Sequence, residues 1–167
     1  MSRYRPPAPK SSPYITAAGF RALNEELNGL WTKRREVVVH LSAAAAEGDR
    51  SENAEYIYRK KQLREIDRRI GYLQRRLPVL KVSKALPADR TRVFFGASVN
   101  LCDEAMNELN VRIVGADELD PNRGWISVDS PMARCLLKHM VDDEVTVRTP
   151  SGEITYCIVD VRYDEPS

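Results

Sequence analysis

The chain has 167 residues, 43% hydrophobic and 30% charged, with a net charge of +2 at pH 7, a composition that excludes disorder throughout and fits one folded domain or two small ones. No apolar run approaches the roughly 18 residues of a membrane span, and the N-terminus lacks a secretory apolar core. Cys102, Cys135 and Cys157 are scattered and odd in number, and His40 and His139 do not complete a metal-ligand spacing, which argues against a disulfide framework or a zinc site and for a cytoplasmic protein with reduced thiols.

Residues 1–13 are rich in proline and basic residues without apolar periodicity, and read as a flexible tail. From about Ile15 the pattern changes. Phe20, Leu23, Leu27, Leu30, Arg34, Val37, Leu41 and Ala44 recur at alternating three and four residues, a heptad seam interrupted only by Arg34. A second seam runs Tyr56, Arg59, Leu63, Ile66, Ile70, Leu73, Leu77 and Leu80. Two seams of matching length joined by a few residues bury their stripes most simply against each other, so an antiparallel helical hairpin is expected over residues 14–86, with no need of a second chain. Each arm of roughly 30 residues would be on the order of 45 Å long. Ala43 to Ala46 give the far end small side chains.

The connection between the seams, Glu47-Gly48-Asp49-Arg50-Ser51-Glu52-Asn53-Ala54-Glu55-Tyr56, gathers Asp49, Glu52 and Glu55 where the chain reverses. Two readings are open. The acids can satisfy the free N–H groups and positive dipole end of the returning helix, worth about 0.3–1 kcal/mol each, with Asp49 or Ser51 as N-cap and Glu52 three after Asp49 as in a capping box. Glu55 fits this role best. Alternatively, because clustered carboxylates repel and one suffices for a cap, Asp49 and Glu52 are hard oxygen donors for Mg²⁺, too few for a complete site but able to supplement one owned by another macromolecule.

The second helix is locally basic from Arg59 to Arg76. Lys33, Arg35, Arg59, Lys60 and Arg64 are candidates for nucleic-acid phosphate contact, against the alternative of a solvated helix face; Arg59, at a seam position, could also snorkel. Pro78 and Pro87 bracket the end of this helix, and a domain boundary is expected near Lys84 to Arg90. Beyond it, Val93-Phe94-Phe95, Val111 to Val114 and Trp125 to Val128 read as short strands. Ser130-Pro131 opens a helix through about Met140, and Val145 to Val147 and Ile154 to Tyr163 alternate around the turn residues Thr149 to Gly152. The expected class is α+β, with residues 87–167 forming a small, mainly antiparallel sheet with one helix.

The run Gly48-Asp49-Arg50-Ser51-Glu52-Asn53-Ala54-Glu55-Tyr56 resembles the signature of the Gre family of bacterial transcript cleavage factors, and Ser130-Pro131-Met132-Ala133-Arg134 with Leu136-Leu137 resembles its C-terminal motif. Residues 64–70 and 93–97, with Trp31 and Lys33-Arg34-Arg35, resemble the GreB branch more than the GreA branch. The family often has glycine before the aspartate that follows the C-terminal helix, where this chain has Asp142-Asp143. The resemblance implies a coiled-coil hairpin and a C-terminal domain of FKBP-like shape, in a factor that binds RNA polymerase at its secondary channel and stimulates the polymerase's own Mg²⁺-dependent hydrolysis of backtracked RNA.

It further implies that Asp49 and Glu52 hold a second Mg²⁺ in the polymerase active site, supported by Ser51 and Asn53, and that the basic hairpin residues contact the nascent RNA 3′ end. Asp129, Ser130, Pro131 and Met132 would belong to the polymerase-docking surface, although an N-cap followed by proline explains the same residues. On this reading the chain is a monomer and not an enzyme in its own right. The competing expectations are a channel-binding regulator that inhibits without promoting cleavage, and an unrelated coiled-coil or nucleic-acid binder.

Overall fold

The computed structural model describes residues 10–48, 53–83 and 86–164. In chain order it contains β1 (Tyr14–Thr16), α1 (Ala17–Ala46), α2 (Ala54–Arg76), β2 (Lys81–Ser83), β3 (Ser98–Asp103), β4 (Glu108–Val114), β5 (Trp125–Ser127), α3 (Pro131–Leu136), β6 (Glu144–Thr149) and β7 (Gly152–Arg162), with short 3₁₀ turns at 77–79, 116–118 and 121–123. Two compact units result: Phe20–Leu80, and the described residues before 20 together with those from Lys81 onward. The flanks of the helical segment therefore cluster with the sheet-bearing unit, where the sequence had suggested a hairpin domain of 14–86. The architecture is α+β.

In the helical unit both expected seams turn inward, and none of their residues is exposed. Val37, Ile66 and Ile70 form the buried centre, flanked by Leu27, Leu30 and Leu63. Arg34, the polar interruption, reaches across to Asp67 at 2.6 Å, and Arg69 grips both oxygens of Glu26 at 2.6 and 2.8 Å. The bidentate bonds hold the Glu26 carboxyl below the ordinary glutamate value, Arg69 being the cause. The pairs join the helices antiparallel at their rims, where solvent limits each to about 0.2–1 kcal/mol. Burial of the apolar seam stabilises the hairpin more than these pairs do. α2 ends with Arg75 and Arg76 against the negative end of its dipole, and Pro78 blocks further α-helix.

In the other unit the sheet order is β5-β4-β3-β7-β6, antiparallel except for the parallel β4–β5 pair. Alternation is clean in β6, where Val145 and Val147 are buried between exposed Glu144, Thr146 and Arg148. Val99, Leu101, Val111, Ile113 and Ile158 complete one apolar face, covered by Ala133 and Leu136 of α3. β1 and β2 form a separate parallel pair that the sequence reading missed.

Two further expectations are corrected. Val93-Phe94-Phe95 is not a strand: the segment is held by tertiary bonds, with Val93 exchanging backbone hydrogen bonds with Lys138 and His139 and the Phe94 amide donating to the Tyr163 hydroxyl. The strand lies later, at β3. The same contacts shorten α3, which was expected to run to about Met140. They draw residues 138–140 alongside 92–93, and Lys138 turns to φ 73°.

Glu118 is the one charged side chain buried among the described residues, and it has no cationic partner there. It accepts from the Thr16 amide and hydroxyl at the start of α1 and from the Gly115 amide before its own 3₁₀ turn, while Thr16 Oγ1 caps α1 through the Gly19 amide. These donors satisfy a carboxylate that would otherwise be costly to bury. The three cysteines are free, yet strand register sets Cys102 directly opposite Cys157, a neighbourhood that their distance in sequence concealed.

Candidate functional site

The hairpin connection is bounded by two residues with defined roles. α1 ends at Ala46, and Gly48 follows at φ 137°, backbone that a side chain would strain. On the far side Asn53, at φ −81° and ψ 101°, is the N-cap of α2, its Oδ1 accepting from the Tyr56 amide at 3.0 Å. Its Nδ2 donates to the Ala44 carbonyl at 2.8 Å. One amide thus satisfies an orphan donor at the start of α2 and an orphan acceptor at the end of α1.

This corrects the expected cap. Asp49 or Ser51 was to cap the helix and Glu52 to complete a box, but helical backbone begins only at Ala54, and the capping side chain is neutral. Asp49, Ser51 and Glu52 themselves lie outside the described residues. Asn53, expected to support the acids or a water, makes one backbone hydrogen bond at each end of its amide, which leaves a second N–H and a second lone pair. Glu55 pairs with Arg59 at 2.6 Å one turn on. Among the described residues there is no cluster of three or more metal-ligating side chains.

The five basic candidates separate by environment. Arg59 is committed to Glu55 and to the Gln62 side chain at 3.2 Å, with its guanidinium 5.4 Å from the Tyr58 ring centroid. Lys60 is exposed and sits 5.7 Å from the Tyr56 ring; Arg35 donates to Thr32 Oγ1 at 3.1 Å. Lys33 lines a groove of about 440 Å³ with Tyr58, Lys61 and Arg69. Arg64 lines another, of about 490 Å³, with Ile57, Lys61 and Arg68. Lys61 therefore belongs to both grooves, and Arg68 extends the second. The i, i+3, i+7 spacing of Lys61, Arg64 and Arg68 could have found this face from sequence.

In the sheet-bearing unit the Asp129–Met132 loop is held at every residue but Pro131. Asp129 accepts from the Ser12 amide at 2.8 Å, Ser130 caps α3 through the Ala133 amide at 3.1 Å, and Met132 packs against the core. Pro131, at the first helical position, is exposed. No described helix is long and apolar enough to cross a membrane.

A two-seam hairpin with acids in its connecting sequence, in a chain that also forms a mainly antiparallel sheet with one short helix, defines a class of two-unit α+β protein with a coiled-coil hairpin. Family models place it further: residues 13–82 match "Transcription elongation factor, N-terminal" and residues 88–163 match "Transcription elongation factor, GreA/GreB, C-term". The chain is 58% identical to transcription elongation factor GreB of Xanthomonas axonopodis pv. citri, over 98% of each chain, and 55% identical to GreB of Yersinia pestis, over 91% of this chain and 90% of the relative. Among solved structures, GreA factor homolog 1 of Thermus thermophilus matches at 24% identity and TM-score 0.42, covering 89% of this chain and 97% of that one. The chain belongs to the GreA/GreB family of transcription elongation factors, and its relatives place it nearest the GreB members.

Proposed function

We propose that this chain binds RNA polymerase through its secondary channel and stimulates the polymerase's intrinsic hydrolysis of backtracked RNA, without being an enzyme in its own right. The observation that carries the reading is the hairpin connection. In a family of elongation factors, the segment bearing Asp49 and Glu52 runs between Gly48 and Asn53, and Asn53 ties the ends of both helices together.

Two carboxylates suit Mg²⁺, which accepts one or two from a protein and fills its remaining positions with water and phosphate oxygens. When bound, the ion supplies charge stabilisation at the displaced phosphate oxygens. Asp49 and Glu52 contribute oxygen ligands to it and accept hydrogen bonds from the attacking water, orienting it toward phosphorus. Presenting both groups on a connection anchored at each end turns a loose encounter into a positioned one. Lys33, Lys60, Lys61 and Arg64 are exposed and available to the RNA backbone, whereas Arg59 serves first to hold Glu55. Pro131 and its loop offer the docking surface.

The test is a stalled, backtracked polymerase complex carrying end-labelled RNA, to which the protein and Mg²⁺ are added. Wild type should shorten the RNA. Asp49→Ala with Glu52→Ala should slow this about 10²-fold or more while still competing for polymerase. Equal shortening by the double variant would overturn the proposal, and binding without any shortening by wild type would favour an inhibitory channel-binding regulator.

A further inference from the structure

The outer face of the sheet, opposite α3, carries two thiols side by side. Cys102 of β3 and Cys157 of β7 are direct cross-strand partners, and their row continues to Glu108 of β4 on one side and Glu144 of β6 on the other. Their chain neighbours Leu101, Tyr156 and Ile158 belong to the core, so the alternation of strand side chains puts both sulfurs outside it. Each of the two cysteines is half-buried, within reach of a small reagent. Cys135, the remaining cysteine, packs against the core from α3 on the opposite face.

Backbone bonding fixes which kind of partners they are. The Asp103 amide donates to Asn107 on the β4 side, so Cys102, one residue earlier, turns its own amide and carbonyl toward β7. Ile158 bonds to Asp142 and Asp143 on the β6 side, so Cys157 turns toward β3. The two cysteines therefore form a hydrogen-bonded antiparallel pair, with Cα atoms about 5.5 Å apart, inside the roughly 4.4–6.8 Å that a disulfide spans. Their β-carbons, about 4.5–5.5 Å apart in cross-strand pairs, stand slightly wider than the roughly 3.5–4.5 Å of a disulfide. A bond can form, but under strain, which favours easy reduction. Nothing holds the thiols elsewhere: Cys102 Sγ lies 3.6 Å from the Asp103 carbonyl oxygen and 4.0 Å from Met106 Sδ, and Cys157 Sγ lies 3.9 Å from the Ile158 carbonyl oxygen, all long contacts of a weak donor.

We propose that Cys102 and Cys157 are a reversible thiol–disulfide exchange site whose co-reactant is a small organic disulfide. One cysteine thiolate attacks a sulfur of the reagent, forming a mixed disulfide and expelling one reagent thiolate. The other cysteine then attacks the protein sulfur of that mixed disulfide and expels the second. Two protein thiols lose two electrons, the reagent disulfide gains them, and the two protons end on the reagent thiols. The product ties β3 to β7 and closes a loop containing β4, β5, α3 and β6.

The test incubates the native full chain with hydroxyethyl disulfide, a neutral probe that the exposed Glu108 and Glu144 do not repel, then quenches with acid and maps the peptides by mass spectrometry. Wild type should lose two hydrogen atoms, with the Cys102 and Cys157 peptides joined and Cys135 still reduced. Excess mercaptoethanol should restore both thiols. Cys102→Ser and Cys157→Ser should instead accumulate the reagent adduct on the remaining partner, about tenfold or more above wild type, because capture within the pair outruns exchange with solvent. Adducts accumulating equally in wild type, a bond between two chains, or a bond that includes Cys135 would overturn the assignment. So would reaction of Cys102 and Cys157 only after unfolding in urea. The wild-type map needs no substitution, so it decides the matter even where a serine variant folds poorly, and none of these outcomes depends on transcript cleavage.

Discussion

Replacing Asn53 tests how the hairpin connection is held. Asn53→Ala removes the N-cap bond to the Tyr56 amide, worth about 0.5–2 kcal/mol, and the bond to the Ala44 carbonyl, worth about 0.5–1.5 kcal/mol. The expected loss is about 1–3 kcal/mol. Asn53→Asp separates the two contributions, since its carboxylate still caps and interacts with the helix dipole but can no longer donate to Ala44. It should lose about 1 kcal/mol or less relative to wild type. Hydrogen exchange at the Tyr56 amide reads the cap directly and should accelerate about tenfold in Asn53→Ala but not in Asn53→Asp. Urea unfolding of the helical signal reads the total. An alanine variant with unchanged exchange and stability, or an aspartate variant as damaged as alanine, would refute the assignment of two bonds to this one side chain.

Two glycines in α1 should respond oppositely to alanine. Gly29→Ala meets no atom within 4 Å and should stabilise by about 0.8–1 kcal/mol, whereas a Cβ at Gly19 would collide with Glu118 Oε1 and disturb its bonds to Thr16 and Gly115, for a net loss of about 1–3 kcal/mol by thermal unfolding. The depressed Glu26 pKa makes its pair with Arg69 stabilising above the unfolded glutamate value of about 4.3. That contribution should fade as pH falls through the lower folded value, and Glu26→Gln should flatten this part of the stability–pH curve. Asp142 adopts φ 71°, so Asp142→Val should cost about 1–2 kcal/mol while Asp142→Gly is tolerated, as compared by urea midpoints.

The helical unit was legible because its seam repeats over many turns, so the burial of Leu23, Val37, Ile66 and Leu73 followed from spacing alone. Arg34 broke the pattern without breaking the packing, since Asp67 receives it across the seam. Less was legible where tertiary contact decides. Val93 to Phe95 have the composition of a strand, but their hydrogen bonds go to residues 138–139 and Tyr163, which no local pattern announces. Pairing of three-residue β1 and β2 is too short to leave a period. The start of α3 was marked by Ser130-Pro131; its end was not, because Lys138 leaves the helix for Val93. The position before Asp143, where the family often has glycine, does require the left-handed backbone that glycine adopts freely, and aspartate accepts it here. In the candidate site, the acids were legible as a motif, but the capping role of Asn53 was not, since Asp49 and Ser51, both farther from the helix start, competed for it on sequence grounds. Lys61 and Arg68 were passed over individually within a basic tract whose helical spacing places them, with Arg64, along one groove.

The central claim is that Asp49 and Glu52 lend oxygen ligands to an ion shared with the polymerase. Its most direct measurement is the Mg²⁺ dependence of transcript shortening in backtracked complexes, compared between wild type and the near-isosteric Asp49→Asn and Glu52→Gln at saturating protein. Loss of a ligand should raise the Mg²⁺ concentration for half-maximal rate about tenfold or more, with partial recovery at high Mg²⁺. Variants that shorten RNA slowly with an unchanged Mg²⁺ midpoint would contradict the claim.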